Sequence, residues 1–296
     1  MKLTDVFEKE NQTASFEFFP PKTEKGADNL FRRIIEDFVP LKPSFLSITY
    51  GAGGGTRHLT RDLVLRLKDN IDIPLVSHLT CICSTKKDID QLLGQYYDKG
   101  IRNILALRGD IPKDPDCNPY PQNGFTHAWE LVEFIKMNYP DMVVGVAGFP
   151  EGHPETPNRL KEMEYLKQKV DAGADYITTQ LFFDNRDFYD YKERAQQWGI
   201  DVPIIAGIMP IISKENMQKI SELALGSRFP AALLRSLYRA PDEEYASKVG
   251  IHWATEQVRD LLDNGIKGVH FYTLNKSKAT KTIYEYLGIK NSDALF

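Results

Sequence analysis

Cysteine is scarce. The 296 residues hold only three, Cys81, Cys83 and Cys117. An odd count without a framework spacing favours a chain kept in a reducing compartment, so a cytoplasmic protein is expected. Cys81-Ile82-Cys83 is one residue short of Cys-x-x-Cys and no second pair exists, so no structural metal is expected. Positive charge is not in excess either. Lys and Arg number 37 against 41 Asp and Glu, which leaves a net charge of -4 and no electrostatic footprint for nucleic acid. No apolar run approaches the roughly 18 residues of a membrane span. Met1-Lys2-Leu3-Thr4-Asp5 lacks the apolar stretch of a signal peptide. Two phosphate-binding signatures are also missing. Gly51–Gly55 is not followed by Lys-Ser/Thr, so it is no P-loop, and no Gly-x-Gly-x-x-Gly follows the first strand candidate.

What is present is an alternation of short apolar runs with amphipathic helical patterns. No low-complexity stretch or polar linker divides them. The strand candidates are Ala14–Phe19, Phe45–Tyr50, Leu75–Cys81, Asn103–Leu107, Val143–Gly148, Tyr176–Phe182, Ile204–Ile208 and Gly268–Thr273. Several are apolar on both faces, as parallel strands covered by helices must be. Helical patterns fill the gaps, at 28–38, 57–69, 87–99, 126–137, 158–172, 185–198, 214–225, 242–264 and 277–287. Gly100 and Gly173 stand where a helix would end in the left-handed region. Eight strand–helix units predict an α/β fold, a (β/α)8 TIM barrel formed as a single domain over residues 1–296. Arg228–Tyr245 is then an elaboration between the seventh and eighth strands. A doubly wound open sheet is the rival that periodicity alone does not exclude.

In a barrel, chemistry gathers at the C-terminal ends of the strands. The first candidate there is Ser15-Phe16-Glu17-Phe18-Phe19-Pro20-Pro21. Alternation sets Phe16 and Phe18 on one face and Ser15 and Glu17 on the other. An ionised Glu buried beside aromatics is costly unless paired, which favours a group that keeps a proton to donate, or a structural carboxylate bonded to a buried Lys or Arg. Further strand ends bring Thr49 and Tyr50, His78 and Thr80, Arg108-Gly109-Asp110, Phe149 to Glu155, Gln180, and the run from His270 to Asn275. The aromatic side chains among them suit a flat ligand. Asn158 opens a helix whose free N–H groups, with a basic residue, would suit phosphate.

Taken in order, these segments closely resemble the 5,10-methylenetetrahydrofolate reductase family. The resemblance rests on Ser15–Pro21, Ser47–Ala52, Ser77–Cys81, Ala106–Asp110, Phe149–Glu155, Lys169–Ala174, Thr178–Asp184, Gly207–Pro210 and His270–Asn275, which span nearly the whole chain. It implies non-covalently bound FAD, with NADH or NADPH as co-substrate, in a ping-pong reduction of 5,10-methylenetetrahydrofolate to 5-methyltetrahydrofolate. Carried over by position, Glu17 takes the place of the general acid that protonates folate N10. Asp110 takes that of the carboxylate near the flavin and pterin rings. Gln180, Thr49 and Lys276 fall on positions that contact folate or the nicotinamide nucleotide. Tyr50, Ala52, His78, Arg108, Gly109, Asp110, Ala128, Phe149, His153, Glu162 and Lys169 fall on flavin-contacting positions.

The resemblance also implies a homo-oligomer and no membrane partner. Because the chain ends soon after the eighth helix, no regulation by S-adenosylmethionine through a further domain is expected. There are departures from the family pattern. Phe149 stands where Tyr is frequent, and Tyr165 and Gln168 stand where relatives have Asn and Arg, so a rearranged pyrophosphate contact is expected. The segment Lys113–Gly124 aligns poorly. The alternatives are a flavin-free pterin-binding barrel and a non-catalytic partner that delivers folate or electrons.

Overall fold

In the computed structural model, which describes residues 1–50, 57–111, 118–156, 158–224 and 226–295, eight parallel strands close a barrel in chain order. They are β1 (Thr13–Phe18), β2 (Phe45–Ile48), β3 (Leu75–Thr80), β4 (Asn103–Leu107), β5 (Val143–Gly148), β6 (Tyr176–Thr179), β7 (Ile204–Ile208) and β8 (Gly268–Tyr272). The open-sheet alternative is excluded because β1 pairs with β8, Ser15 opposite His270 and Glu17 opposite Tyr272. Five strand candidates run past the observed ends, at Phe19, Tyr50, Cys81, Phe182 and Thr273. The chain leaves the sheet there to form the mouth.

The helices are α1 (Leu3–Lys9), α2 (Glu24–Arg33), α3 (Arg57–Asn70), α4 (Lys86–Asp98), α5 (Ala128–Asn138), α6 (Arg159–Asp171), α7 (Asn185–Gln197), α8 (Lys214–Leu223), α9 (Ala231–Arg239), α10 (Glu243–Asp263) and α11 (Ser277–Leu287). The pattern at 28–38 ends in a π-helical turn, Ile34–Phe38, rather than in one continuous α-helix. Gly100 and Gly173 adopt φ of 76° and 111°, the left-handed conformation expected of them. Two helices go beyond the sequence reading. One is α9, within the expected elaboration, where Leu233 and Leu237 turn inward.

The other is α1, which plugs the N-terminal end of the barrel. Leu3, Val6 and Phe7 share one helix face and pack with Phe45, Val76, Leu105, Val143, Tyr176 and Ile205 inside the barrel. Gly145 makes room in that layer, since a Cβ there would lie 2.2 Å from the Tyr176 ring. The opposite strand faces, among them Phe16, Phe18, Leu46, Ile48, Ile104, Val144 and Ile177, pack against the helices in the main core. The N-terminal half of the lumen is therefore dry and apolar, and the polar residues of the strands collect toward the C-terminal end.

A smaller apolar cluster sits on the β6, β7 and α9 side of the mouth, with Leu181, Phe183, Met209, Ile211, Leu233 and Leu237 at its centre. It fixes the chain that follows β6, because Trp253 Nε1 donates to Phe183 O and Gln257 Nε2 to Phe182 O. No helix among the described residues is long and apolar enough to cross a membrane. Cys81 is a buried free thiol, pushed up to about 12 by burial. Cys83 is disulfide-bonded, although the odd cysteine count favoured a reducing compartment.

Candidate active site

Glu17 stands in the lumen near the end of β1 and is 5% exposed. Strand alternation turns Phe16 and Phe18 outward, so Ser15 and Glu17 point in. Among the described residues, its charged or titratable partners within ion-pair distance are two histidines and no Lys or Arg. His78 Nε2 on β3 lies 3.5 Å from Glu17 Oε2, and His270 Nε2 on β8 lies 3.4 Å from the same oxygen. Each imidazole is held in turn by a serine hydroxyl. Ser47 Oγ is 2.7 Å from His78 Nε2, and Ser15 Oγ is 2.7 Å from His270 Nδ1. Burial lowers the pKa of His78 to about 4, so it is an uncharged ring at neutral pH. The buried carboxyl thus rests on two imidazole rings, His78 held uncharged by burial, rather than on a Lys or Arg, which differs from the structural-carboxylate alternative.

The chain after β8 grips the backbone around Glu17. Thr273 Oγ1 donates to Glu17 O at 2.6 Å. The Asn275 side chain accepts from Phe19 N at 2.9 Å and donates to Phe19 O at 2.8 Å, extending the β1–β8 ladder past its last strand bond. Leu274 and Asn275 both take positive φ, 48° and 60°, to turn that amide back. Lys276 follows, exposed, at the start of α11. Tyr272 donates its hydroxyl to Thr179 O at 2.6 Å across the lumen.

At the end of β4, Arg108 reaches Glu155 at 2.7 Å, which raises its pKa. Gly109 has φ 88°, and a Cβ there would meet the Thr80 side chain at 2.9 Å, so glycine is required. Asp110 is exposed, and its charge acts on both Arg108 and His153. Phe149 packs edge-on against His153 with ring centroids 4.7 Å apart. Burial lowers the pKa of His153. Ala128 opens α5, partly buried. Thr49 and Tyr50 are partly buried at the β2 end, and Gln180 is partly buried immediately after β6. Ala52 and the glycine loop 51–56 lie outside the described residues, as do 112–117 of the poorly aligned segment.

One further group lies on α6. Glu162 is buried, and neither of its carboxylate oxygens has a hydrogen-bond partner among the described residues. Burial raises its pKa against the opposing pull of Arg194, Arg159 and Lys169. Lys169, two turns further along the same face of the helix, donates to Ala147 O at 2.6 Å, and burial lowers its pKa to about 8. A buried acceptor pair without a protein donor, beside a cation with an excess of unfavourable burial, fits a ligand that presents hydroxyls and phosphates. These residues therefore fit a flavin nucleotide. The helix N-terminus is less open than expected, because Asn158 Oδ1 accepts from both Leu160 N and Lys161 N.

The strand ends thus bring Glu17 and His78 into contact, with Tyr272 beside them. Arg108, Gly109, Asp110, Phe149 and His153 share the β4–β5 rim, and Glu162 and Lys169 sit behind β5. No hydrogen bond joins Asp110, Gln180 or Lys276 to Glu17 among the described residues. The sequence reading singled out His270 as a strand-end residue but not as a neighbour of Glu17. The signal was the period-2 spacing His270, Tyr272 opposite Ser15, Glu17, which is only visible once the β1–β8 pairing is known. No group of three His, Cys, Asp or Glu side chains able to hold a metal occurs among the described residues.

Comparison with known proteins adds an independent line. The family model for methylenetetrahydrofolate reductase matches residues 2–288. Methylenetetrahydrofolate reductase (NADH) 1 of Arabidopsis thaliana is 40% identical over 97% of this chain and 50% of its own length. The 5,10-methylenetetrahydrofolate reductase of Escherichia coli is 36% identical over 93% of this chain and 90% of its own. The chain spans about half the length of the plant and fungal relatives that it matches. Among solved structures, a Clostridium thermocellum protein that binds 5-methyl-5,6,7,8-tetrahydrofolic acid shares the fold with a TM-score of 0.65. It is 15% identical and covers 97% of this chain and 99% of its own.

Proposed function

The chain belongs to the methylenetetrahydrofolate reductase family, and from that membership we propose that it reduces 5,10-methylenetetrahydrofolate to 5-methyltetrahydrofolate with NADH or NADPH as donor. The observation that carries the reading is Glu17, a buried carboxyl at the barrel mouth held by two imidazoles. FAD, when bound, would supply the hydride relay between nicotinamide and folate in two separate half-reactions.

The residues of this chain divide the remaining work. Glu17 holds the proton that folate N10 takes as the five-membered ring opens. Asp110 puts negative charge at the rim, where the ring-opened folate is cationic. Gln180, rigidly based after β6, offers an amide with both donor and acceptor to the pterin or the nicotinamide. Thr49 offers a hydroxyl from the β2 end, and Lys276 an exposed cation for the folate carboxylates. For the cofactor, Glu162 would accept from ribityl hydroxyls and Lys169 would meet the phosphates. Arg108, Gly109, His153 and Phe149 would shape the ring pocket, with Tyr50, His78 and Ala128 at its edges. The chain is proposed to act in the cytoplasm, as a homo-oligomer.

The test is anaerobic stopped-flow absorbance on the purified protein with FAD. Bleaching of the visible flavin band by NADH or NADPH, and its recovery on adding methylenetetrahydrofolate, are the expected results. Bleaching without recovery by folate would refute the substrate. A colourless protein that ignores added FAD would refute the cofactor and favour a flavin-free pterin site.

A further inference from the structure

We propose that His270, its ring held by Ser15, is the positioning residue that aims and holds Glu17 for proton delivery. The inference rests on the reading of Glu17 as the proton donor to folate.

The geometry fixes the imidazole on four sides. His270 is 1% exposed. Its ring stacks on Phe45 with centroids 6.0 Å apart and planes 16° apart, and meets the Tyr272 ring edge-on at 5.3 Å. Nδ1 is 2.7 Å from Ser15 Oγ, and Nε2 is 3.4 Å from Glu17 Oε2. Stacking leaves the ring no freedom to swing, so the two nitrogens keep these partners.

The serine hydroxyl lies 2.7 Å from His270 Nδ1 and 3.2 Å from Val269 O. The carbonyl only accepts, whereas Nδ1 donates or accepts according to the ring's tautomer. With the ring proton on Nε2 the imidazole donates to the Glu17 carboxylate, and with it on Nδ1 the Nε2 atom accepts from the Glu17 acid. Either way Nε2 holds the carboxyl in place without a Lys or Arg charge in the lumen. A Lys or Arg at this place would hold Glu17 ionised and spoil it as an acid. The other groups facing Glu17 do not duplicate the role. On β3, His78 Nε2 is engaged at 2.7 Å by Ser47 Oγ. On β8, Tyr272 is neutral, its hydroxyl committed to Thr179 O. On β2, the inward neighbour is the Ser47 hydroxyl itself.

The test compares wild type, H270F, H270Q and S15A in the two half-reactions across pH. H270F keeps a flat ring against Phe45 but removes both nitrogens. The folate half-reaction needs protonated Glu17, so its rate falls as pH rises. Removing the partner at Nε2 moves that falling limb, to higher pH where Nε2 donates to the ionised form and to lower pH where it accepts from the acid. H270F is expected to slow folate reduction roughly ten- to hundredfold through loss of alignment. Its limb moves in pH, and its reduction by NADH stays within about twofold. H270Q, which restores an N–H, recovers part of the rate. S15A also shifts the limb, by less, and ¹⁵N NMR of labelled histidine shows a changed His270 tautomer.

An unmoved limb in both H270F and S15A would overturn the proposal, as would equal losses in both half-reactions. If H270F fails to fold, S15A and the NMR readout decide alone. A wild type without any folate half-reaction would overturn the underlying reading of Glu17 as well. A wild type that reduces folate beside an H270F indistinguishable from it would overturn this inference only.

Discussion

Replacing Lys169 with Met tests the buried cation behind β5. Met keeps most of the aliphatic stem and removes the ammonium. Burial carries the Lys169 pKa from an ordinary value of 10.5 to about 8. At 1.36 kcal/mol per pH unit that is a cost of about 3 kcal/mol, an upper figure because the side chain keeps some contact with solvent. At pH 7 the lysine is protonated whether the chain is folded or not, so the whole cost is present. Between about pH 8 and 10.5 the unfolded chain still binds a proton that the folded protein has released, so wild-type stability rises with pH there. The variant has no such group. Its lost hydrogen bond to Ala147 O is a constant offset at every pH.

The assay is urea denaturation of FAD-free wild type and K169M from pH 7.5 to 10.5. The stability of wild type relative to the variant should climb by up to about 3 kcal/mol across that range. A second readout follows from the proposed phosphate contact. An anion against the ammonium restores its proton, so FAD affinity of wild type should fall as pH rises past about 8, more steeply than that of K169M. A stability difference that stays flat with pH would refute the claim that Lys169 is held against its charge.

Three other perturbations follow from the site. G207A places a methyl group 2.3 Å from Thr179 O and 2.7 Å from the Tyr272 ring, so it should displace Tyr272 and cost about 2–4 kcal/mol in urea unfolding; a loss under 1 kcal/mol would show that β6 and β8 can yield. D110N should slow the folate half-reaction by about tenfold at most, since the carboxylate is exposed and screened, and leave reduction by NADH intact; an equal folate rate removes Asp110 from the mechanism. N275A should lower kcat for folate by roughly tenfold with little change in KM, because it loosens the backbone at Phe19, two residues beyond Glu17, without touching the rim. A change confined to KM would place Asn275 in substrate binding instead.

Much of this arrangement was legible in the sequence because a parallel barrel writes its strands as short apolar runs closed by polar residues. Ser15–Phe19 is the clearest case: alternation alone separates Phe16 and Phe18 from Ser15 and Glu17, and the structure keeps that division. Three things were not legible. The plug α1 has only seven residues, too few for a periodic signal, and its Leu3, Val6 and Phe7 acquire meaning only against the lumen of a closed barrel. The pairing of His270 with Glu17 depends on β1–β8 closure across more than 250 positions, which no local pattern encodes. The loss of free N–H groups at Asn158 turns on a side-chain rotamer, so the residue that marks the helix start also occupies its donors.

The central claim is that Glu17 gives the proton that lets folate accept hydride, and single-turnover kinetics of E17Q tests it most directly. With FAD bound and oxygen excluded, reduction by NADH or NADPH should proceed within about twofold of wild type. Reoxidation by methylenetetrahydrofolate should slow by about a hundredfold or more. An E17Q protein that reduces methylenetetrahydrofolate at the wild-type rate would contradict the account.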